Sequence, residues 1–333
     1  VQAAQGNLKD SKNSFLKSIE LDESNTAALF ELSTNIESIE DSNRLARKLD
    51  GVTRTGLIKQ EESMLEFAAA NFHHKSKNYT NATLHLSRAN KLKLSYSPSN
   101  LSKRLVQAKQ IMEQAKQIVA GKPSEGEGRI FIVGVPRCGS TLLESVLSTD
   151  PNIRDLGESI ALRQAFEAIM HKTGINEAHL SLSEEYAEKT KDKLARQTHT
   201  IDKNLYNFQY TEAIARAMPS ARIIHCRRHP LDNILSMLRS NLKAGNNYTS
   251  DPLDAAKFLI HQEETMGRFK HKYEKHIFTF DYDAFTRNPE NTLQPLIDWL
   301  GLEWNERYLH PEMNCRLINT ASVIQARQPI TSK

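Results

Sequence analysis

Cysteine is scarce in this 333-residue chain. Cys138, Cys226 and Cys315 make an odd count at wide spacing, so no disulfide framework or metal motif is visible. A reducing compartment is expected. Long apolar runs are missing too: none approaches the ~18 residues of a membrane span. No signal-peptide pattern opens the chain, which starts at Val1. The net charge is only +4, too small for a general nucleic-acid binder. Proline is nearly absent from the first 120 residues, where Pro98 stands alone. That leaves long helices uninterrupted.

What is present is unevenly placed. Residues 222–243 hold Arg222, Arg227, Arg228, Arg239 and Lys243 against Asp232 alone, an excess as large as that of the whole chain. A cation cluster of this size suits a small anionic ligand better than a long polyanion. The chain is long enough for two ordinary domains. Residues 1–120 show helical apolar spacing with an internal repeat. GNLKDSKNSFLKSIELDE (6–23) and KNYTNATLHLSRAN (77–90) place Gly6, Leu8, Ser11, Phe15 and Ser18 in step with Lys77, Tyr79, Ala82, Leu86 and Ala89. Starting points at 6 and 77 are roughly two periods of ~34 residues apart. Each stretch resembles the second helix of a tetratricopeptide repeat, and EESMLEFAAANFHH (61–74) is the first helix of the later copy. The plain alternative is amphipathic helices packed on each other with no ligand.

GKPSEGEG (121–128) reads as a linker. Beyond it, β-rich runs at 129–134, 198–202, 221–226 and 275–280 alternate with helical stretches at 141–148, 158–173, 183–197, 207–218, 231–244 and 252–274. Strand–helix alternation predicts an α/β domain with a mostly parallel sheet covered on both faces. In such sheets ligands bind beyond the carboxyl ends of the strands.

FIVGVPRCGSTLLESVL (131–147) almost fits the phosphate-loop template. Gly134 and Gly139 have the right separation and Thr141 fills the last position, but Ser140 stands where a lysine is required. A glycine turn entering a helix aims backbone N–H groups and a positive helix end at an anion. The missing lysine argues against a nucleoside triphosphate. Arg137, inside the loop, can meet a shorter anionic group. A ligand-free strand-to-helix turn is the bland alternative. A second element, RIIHCRRHPLDNILSMLRSNL (222–242), places Arg228 at a strand–helix junction and Ser236 on the helix that Pro230 opens. Arginine with a hydroxyl is a plausible second phosphate clamp. The alternative is a solvated basic face.

Two anion sites at adjacent strand ends suit a ligand with two separated anionic groups. Here PRCGSTL (136–142) and RHPLDNILS (228–236) resemble the two nucleotide-binding elements of the sulfotransferase family, which uses 3′-phosphoadenosine 5′-phosphosulfate (PAPS). The likeness covers most of residues 129–333. It is greatest toward the tyrosylprotein sulfotransferase branch and toward bacterial sulfotransferases with N-terminal tetratricopeptide repeats. GVPRCGSTLLESVLSTDPNI followed by GES carries the former; FTFDYDAFTRNPENTLQPLIDWLGLEW (278–304) and NTASVIQARQPI (319–330) are similar to the family's closing strand and helix and its cofactor-covering loop. One departure is Cys138, where serine is common.

The resemblance implies a P-loop-type three-layer α/β domain at 129–333, joined by the 121–128 linker to an all-α tetratricopeptide-like domain at 1–120. It implies a metal-free, PAPS-dependent O-sulfotransferase of the bacterial cytoplasm, with a peptide or protein tyrosine among its acceptors and the repeat domain as holder of that acceptor. Arg137, Cys138, Gly139, Ser140, Thr141 and Leu142 then hold the 5′-phosphosulfate. Arg228 and Ser236 hold the 3′-phosphate, with Ser322 and Arg327 covering that side. Glu158 is the expected general base, 21 residues after Arg137, with His199 or Asp202 next in line. Lys203 and Arg137 neutralise the transferring group. The alternative for Glu158 is a carboxylate in a helix's first turn; the alternative for Lys203 is a surface lysine. His225 and His229 straddle Pro230 and make a poor metal pair. Two other classes compete: a non-catalytic nucleotide-binding repeat scaffold, and a P-loop phosphotransferase, against which the absent lysine counts.

Overall fold

Where proline is missing, helices form. The computed structural model describes residues 7–35, 38–171, 181–190, 198–242, 245–314 and 325–330. Among these, α1 (Leu8–Leu21), α2 (Thr26–Thr34), α3 (Ile39–Gly51), α4 (Lys59–Lys75), α5 (Tyr79–Tyr96) and α6 (Leu101–Ala115) precede the first strand. Their starts are written in the sequence. Asn25 accepts from the Ala28 N–H at 3.0 Å to cap α2, and Asn78 accepts from the Asn81 N–H at 3.2 Å to cap α5. Ser38 and Asp41 form a reciprocal capping box on α3. Leu16, Ile19, Leu29, Leu32, Leu45 and Leu65 gather into one apolar cluster. Of the small residues in the repeat pattern, Ser11, Ala82 and Ala89 are buried and Ser18 is half-buried. The Ser63 hydroxyl donates to the Ala89 carbonyl at 3.0 Å, so α4 and α5 approach closely there.

The later part is a five-stranded sheet: β1 (Arg129–Val133), β2 (Ile153–Asp155), β3 (His199–Asp202), β4 (Arg222–Arg227) and β5 (Ile277–Asp281). The order is β2-β3-β1-β4-β5. Every neighbouring pair is parallel, with Ile130 beside Ile201 and Ile132 beside Ile224. All five carboxyl ends therefore lie along one edge. Ile130, Phe131, Ile132 and Val133 are buried in succession, so β1 is covered on both faces. The intervening helices are α7 (Ser140–Leu147), α8 (Ala161–His171), α9 (Leu182–Thr190), α10 (Thr211–Ala217), α11 (Pro230–Arg239), α12 (Pro252–Lys272), α13 (Tyr282–Arg287) and α14 (Pro289–Leu300). β2, with three residues, carries no periodicity and has no counterpart among the expected strands. The helix expected from 158 begins only at Ala161, and that expected to reach 244 ends at Arg239. Among the described residues no helix is long and apolar enough to cross a membrane.

Contacts divide the chain into two compact units. One gathers the described residues of Val1–Leu101 and Pro230–Phe258; the other gathers those of Ser102–His229, Leu259–Arg316 and Gln325–Lys333. This grouping does not follow the sequence-drawn limits at 120 and 129. Within the first unit, Asn90 Nδ2 donates to the Leu238 carbonyl at 3.0 Å and Lys93 Nζ to the Leu242 carbonyl at 2.6 Å. Those bonds tie the stretch after Pro230 to α5. Within the second unit, α6 is fastened by Arg104, 3.8 Å above the Tyr206 ring. The glycine-rich 121–128 stretch is packed: the Gly121 N–H donates to the Arg216 carbonyl at 2.9 Å, and Ser220 Oγ donates to the Pro123 carbonyl at 2.6 Å.

Candidate active site

The loop after β1 turns sharply. Arg137 has φ +71° and Gly139 has φ +96°. Gly139 is required twice over. Its backbone is left-handed, and a Cβ there would lie 2.1 Å from the Tyr282 ring. Helix α7 opens at Ser140 directly behind it, and the first-turn N–H groups of Leu142 and Leu143 already bond to the Gly139 carbonyl. Ser140 and Thr141 are buried at the helix start. The Cys138 side chain is buried beneath the loop, with its sulfur close to the face of Gly134. There the Cys226 thiol first, and then Ser140, pull the Cys138 thiol below its ordinary range against the effect of burial. Burial pushes Cys226 up.

On one side of this loop stands Lys203, at the end of β3. It is 1% exposed, so the surface-lysine reading fails. Its Nζ donates to Glu158 Oε1 at 2.9 Å and lies 3.8 Å from Glu144 Oε2. Glu158 keeps 58% of its side chain exposed, whereas Glu144 is 1% exposed. Glu158 lies outside α8. Instead, the 156–159 segment runs on beside β3: the Leu156 N–H donates to the Ile201 carbonyl at 2.7 Å, the Lys203 N–H to the Gly157 carbonyl at 3.0 Å, and Asn204 Nδ2 to the Ser159 carbonyl at 2.8 Å. Main-chain pairing thus sets Glu158 opposite Lys203.

Arg228 follows β4 on the other side. Its Nη1 donates to the Arg137 carbonyl at 3.4 Å, its Nε lies 4.0 Å from Asp283 Oδ1, and its guanidinium sits 5.0 Å from the Tyr282 ring centroid. Nε is a buried donor with no hydrogen-bond partner among the described residues. Asp283 also accepts the His229 N–H at 2.5 Å. In sheet order, the carboxyl ends therefore present Glu158, Lys203, the Gly134–Thr141 loop, Arg228 and the Tyr282–Asp283 pair.

The sulfotransferase family model matches residues 129–306, which include all five strands and these loops. The chain belongs to the sulfotransferase family. It is 27% identical over 229 residues to an uncharacterized protein of Aquifex aeolicus (strain VF5), covering 63% of this chain and 30% of that protein. The chain thus spans under a third of that relative's length. It is 22% identical over 204 residues to a putative protein-tyrosine sulfotransferase of Caenorhabditis briggsae, covering 56% of this chain and 70% of the other. Among solved structures it is similar to the sulfotransferase domain from the Synechococcus PCC 7002 olefin synthase (17% identity, TM-score 0.44, 64% of this chain and 88% of that one). It is also similar to a sulfotransferase from Mycobacterium avium (14% identity, TM-score 0.40, 89% and 94%).

The remaining candidates fall in different places. His199 starts β3, at the opposite end from Lys203, and its Nδ1 lies 2.9 Å from Thr198 Oγ1. Asp202 is buried; it accepts from the Tyr186 hydroxyl at 3.0 Å and from Asn207 Nδ2 at 3.1 Å. Burial raises its pKa to about 7. Asp202 is thus buried where Glu158 is exposed, and His199 lies at the far end of β3. Ser236 lies on α11, where its carbonyl accepts from Ser240 Oγ at 2.8 Å. Arg327 Nη1 donates to the Asn314 carbonyl at 3.3 Å, and Asn314 Nδ2 is anchored on the Ser145 carbonyl of α7 at 2.8 Å. Ser322 lies outside the described residues. Sequence reasoning missed Glu144, Tyr282 and Asp283. Tyr282 and Asp283 directly follow β5, so the strand-end rule points to them; Glu144, one turn after Ser140 on α7, carries no comparable signal.

Proposed function

We propose that this chain transfers a sulfuryl group from PAPS to an acceptor hydroxyl, with a peptide or protein tyrosine as the acceptor class. The observation that carries the reading is the Lys203–Glu158 pair, 2.9 Å apart beside a lysine-free phosphate-type loop, in a sulfotransferase-family chain. PAPS supplies the sulfuryl group: the acceptor oxygen gains an S–O bond, the S–O bond to phosphate breaks, and 3′,5′-ADP leaves. The side chains do the rest. The exposed Glu158 carboxylate takes the acceptor proton. Lys203 and Arg137 offset the charge that spreads over the equatorial oxygens. The turn at Gly139 and the start of α7 hold the 5′ end.

Fit to a second phosphate rests on Arg228, whose buried Nε lacks a hydrogen-bond partner among the described residues. A half-buried guanidinium with an open donor suits an anion. The tyrosine acceptor draws on the name of the Caenorhabditis relative and on the exposed carboxylate, since a phenol of pKa near 10 needs a base. A tetratricopeptide-like role for α1–α5 as peptide holder belongs to the same proposal. The test is thermal stability with 3′,5′-ADP, 5′-AMP and Mg-ATP. Selective stabilisation by 3′,5′-ADP is expected. Stabilisation by Mg-ATP alone overturns PAPS in favour of a triphosphate-using enzyme.

A further inference from the structure

Within the helical unit, a cleft of about 430 Å³ opens along α4 and α5. That volume is in the range of small-ligand sites. Arg54, Lys59, Arg88 and Lys91 line it against two carboxylates, Glu62 and Glu66. One carboxylate is already committed. Glu66 accepts from Arg54 Nη1 at 2.6 Å and lies 2.7 Å from His85 Nδ1. Burial pushes its carboxyl up, but these two partners outweigh burial and hold it below the ordinary range. Lys59, Arg88 and Lys91 then face Glu62. Among the described residues none of these three cations forms an ion pair.

Their spacing is that of a built face. Lys59 and Glu62 are three apart on α4, as are Arg88 and Lys91 on α5, so each pair shares one helix surface. Like charges held together repel unless a counter-charge is supplied. Leu92, half-buried, contributes apolar surface between them, and Leu65 closes the floor from the core. No aromatic side chain lines the cleft. That removes the stacking platform on which single-stranded nucleic acid depends.

We propose that this cleft binds an acidic peptide segment, with its carboxylates on Lys59, Arg88 and Lys91 and its aliphatic stems against Leu92. The α4 wall from Lys59 to Glu66 is about 10 Å long at the helical rise. An extended peptide covers that length in about three residues, so two or three closely spaced Asp or Glu residues fill it. Such binding does not depend on sulfuryl transfer and can fail or succeed separately from it.

Fluorescence anisotropy on the full chain tests this, with a short poly-Glu peptide, a poly-Gln peptide of equal length and an oligo-dT strand. Poly-Glu should bind, more weakly as salt rises, and poly-Gln should not. Arg88→Glu with Lys91→Glu should weaken poly-Glu by more than about tenfold through like-charge repulsion, at an unchanged melting temperature. Should that pair fail to fold, Arg88→Gln with Lys91→Gln should still weaken binding, by a smaller factor. The proposal is overturned if a folded variant binds poly-Glu as the parent does, or if poly-Gln binds equally. Tighter binding of oligo-dT with the same dependence on Arg88 and Lys91 assigns the cleft to nucleic acid. Displacement of poly-Glu by 3′,5′-ADP moves the peptide to the sheet end, and also overturns it.

Discussion

Lys203 and Glu158 come from segments 45 residues apart, and Lys203 also faces Glu144, itself 1% exposed. Taking the cation from a buried pair costs roughly 3–5 kcal/mol, because a desolvated charge loses its partner. Lys203→Met should lower the urea unfolding free energy by about that amount, and adding Glu144→Gln should recover part of it. An unchanged urea midpoint for the single variant would show that the pair contributes nothing. Glu158 is largely exposed, and a glutamine oxygen can still accept from Lys203 Nζ, so Glu158→Gln should cost less stability than Lys203→Met. It should reduce turnover by about 10²–10⁴-fold, as expected for a lost general base, while 3′,5′-ADP binds as before. Near-normal turnover on a sulfated acceptor would place the base elsewhere. Arg228→Ala should cost roughly 1.5–3 kcal/mol of 3′,5′-ADP binding and much less of 5′-AMP binding. Equal losses, read by calorimetry, would make the arginine a prop for the loop. Glu158 and Lys203 were legible through the family resemblance, and Arg228 through its place after a strand-like run. Glu144 was not, because a glutamate inside an apolar helical stretch carries no mark of the lysine it faces until the sheet brings β1 and β3 together.

At the scale of elements, the sheet was legible where its strands are long and apolar. β1, β3, β4 and β5 match expected runs to within a few residues, whereas β2 is too short to show a pattern. The cost of missing it was the placement of Glu158 in a helix. The structure sets that residue on the extension of β2, held by bonds to Ile201, Lys203 and Asn204. The loop after β1 was legible as an anion-type turn, yet its contact with the β5 end was not. That contact gives a prediction. A methyl group on Gly139 would meet Tyr282 at 2.1 Å in a backbone of φ +96°. Gly139→Ala should therefore destabilise by about 1–3 kcal/mol or more from overpacking, with further strain from the left-handed backbone. It should also weaken 3′,5′-ADP binding. Tyr282→Ala in the same chain should relieve the steric part and leave the backbone part. A double-mutant cycle of urea midpoints separates the two, and strictly additive losses would mean that ring and glycine do not press on each other.

Across the whole molecule, two buried groups make stability depend on pH in opposite senses, one in each compact unit. Asp202, in the sheet unit, has its carboxyl raised by burial from 3.8 to about 7. Its folded form holds the proton more tightly than the unfolded chain, so the folded state loses ground as pH climbs from about 4 to 7, and the full penalty persists above 7. Lys93, in the helical unit, is lowered by burial from 10.5 to about 8. Its folded form releases the proton more readily, so the penalty is complete below pH 8 and fades as pH rises toward 10.5. Between pH 7 and 8 both penalties apply together. By linkage they amount to at most about 4 kcal/mol for Asp202 and about 3 kcal/mol for Lys93. Two variants read the two windows separately. The melting-temperature difference between Asp202→Asn and the parent should turn in the variant's favour from pH 4 to 7 and then level off. That between Lys93→Met and the parent should be constant below pH 8 and turn against the variant toward pH 10.5, where the parent's amine is neutral and keeps its 2.6 Å bond to the Leu242 carbonyl. Differences that stay flat across both windows would show that neither group changes its protonation on folding.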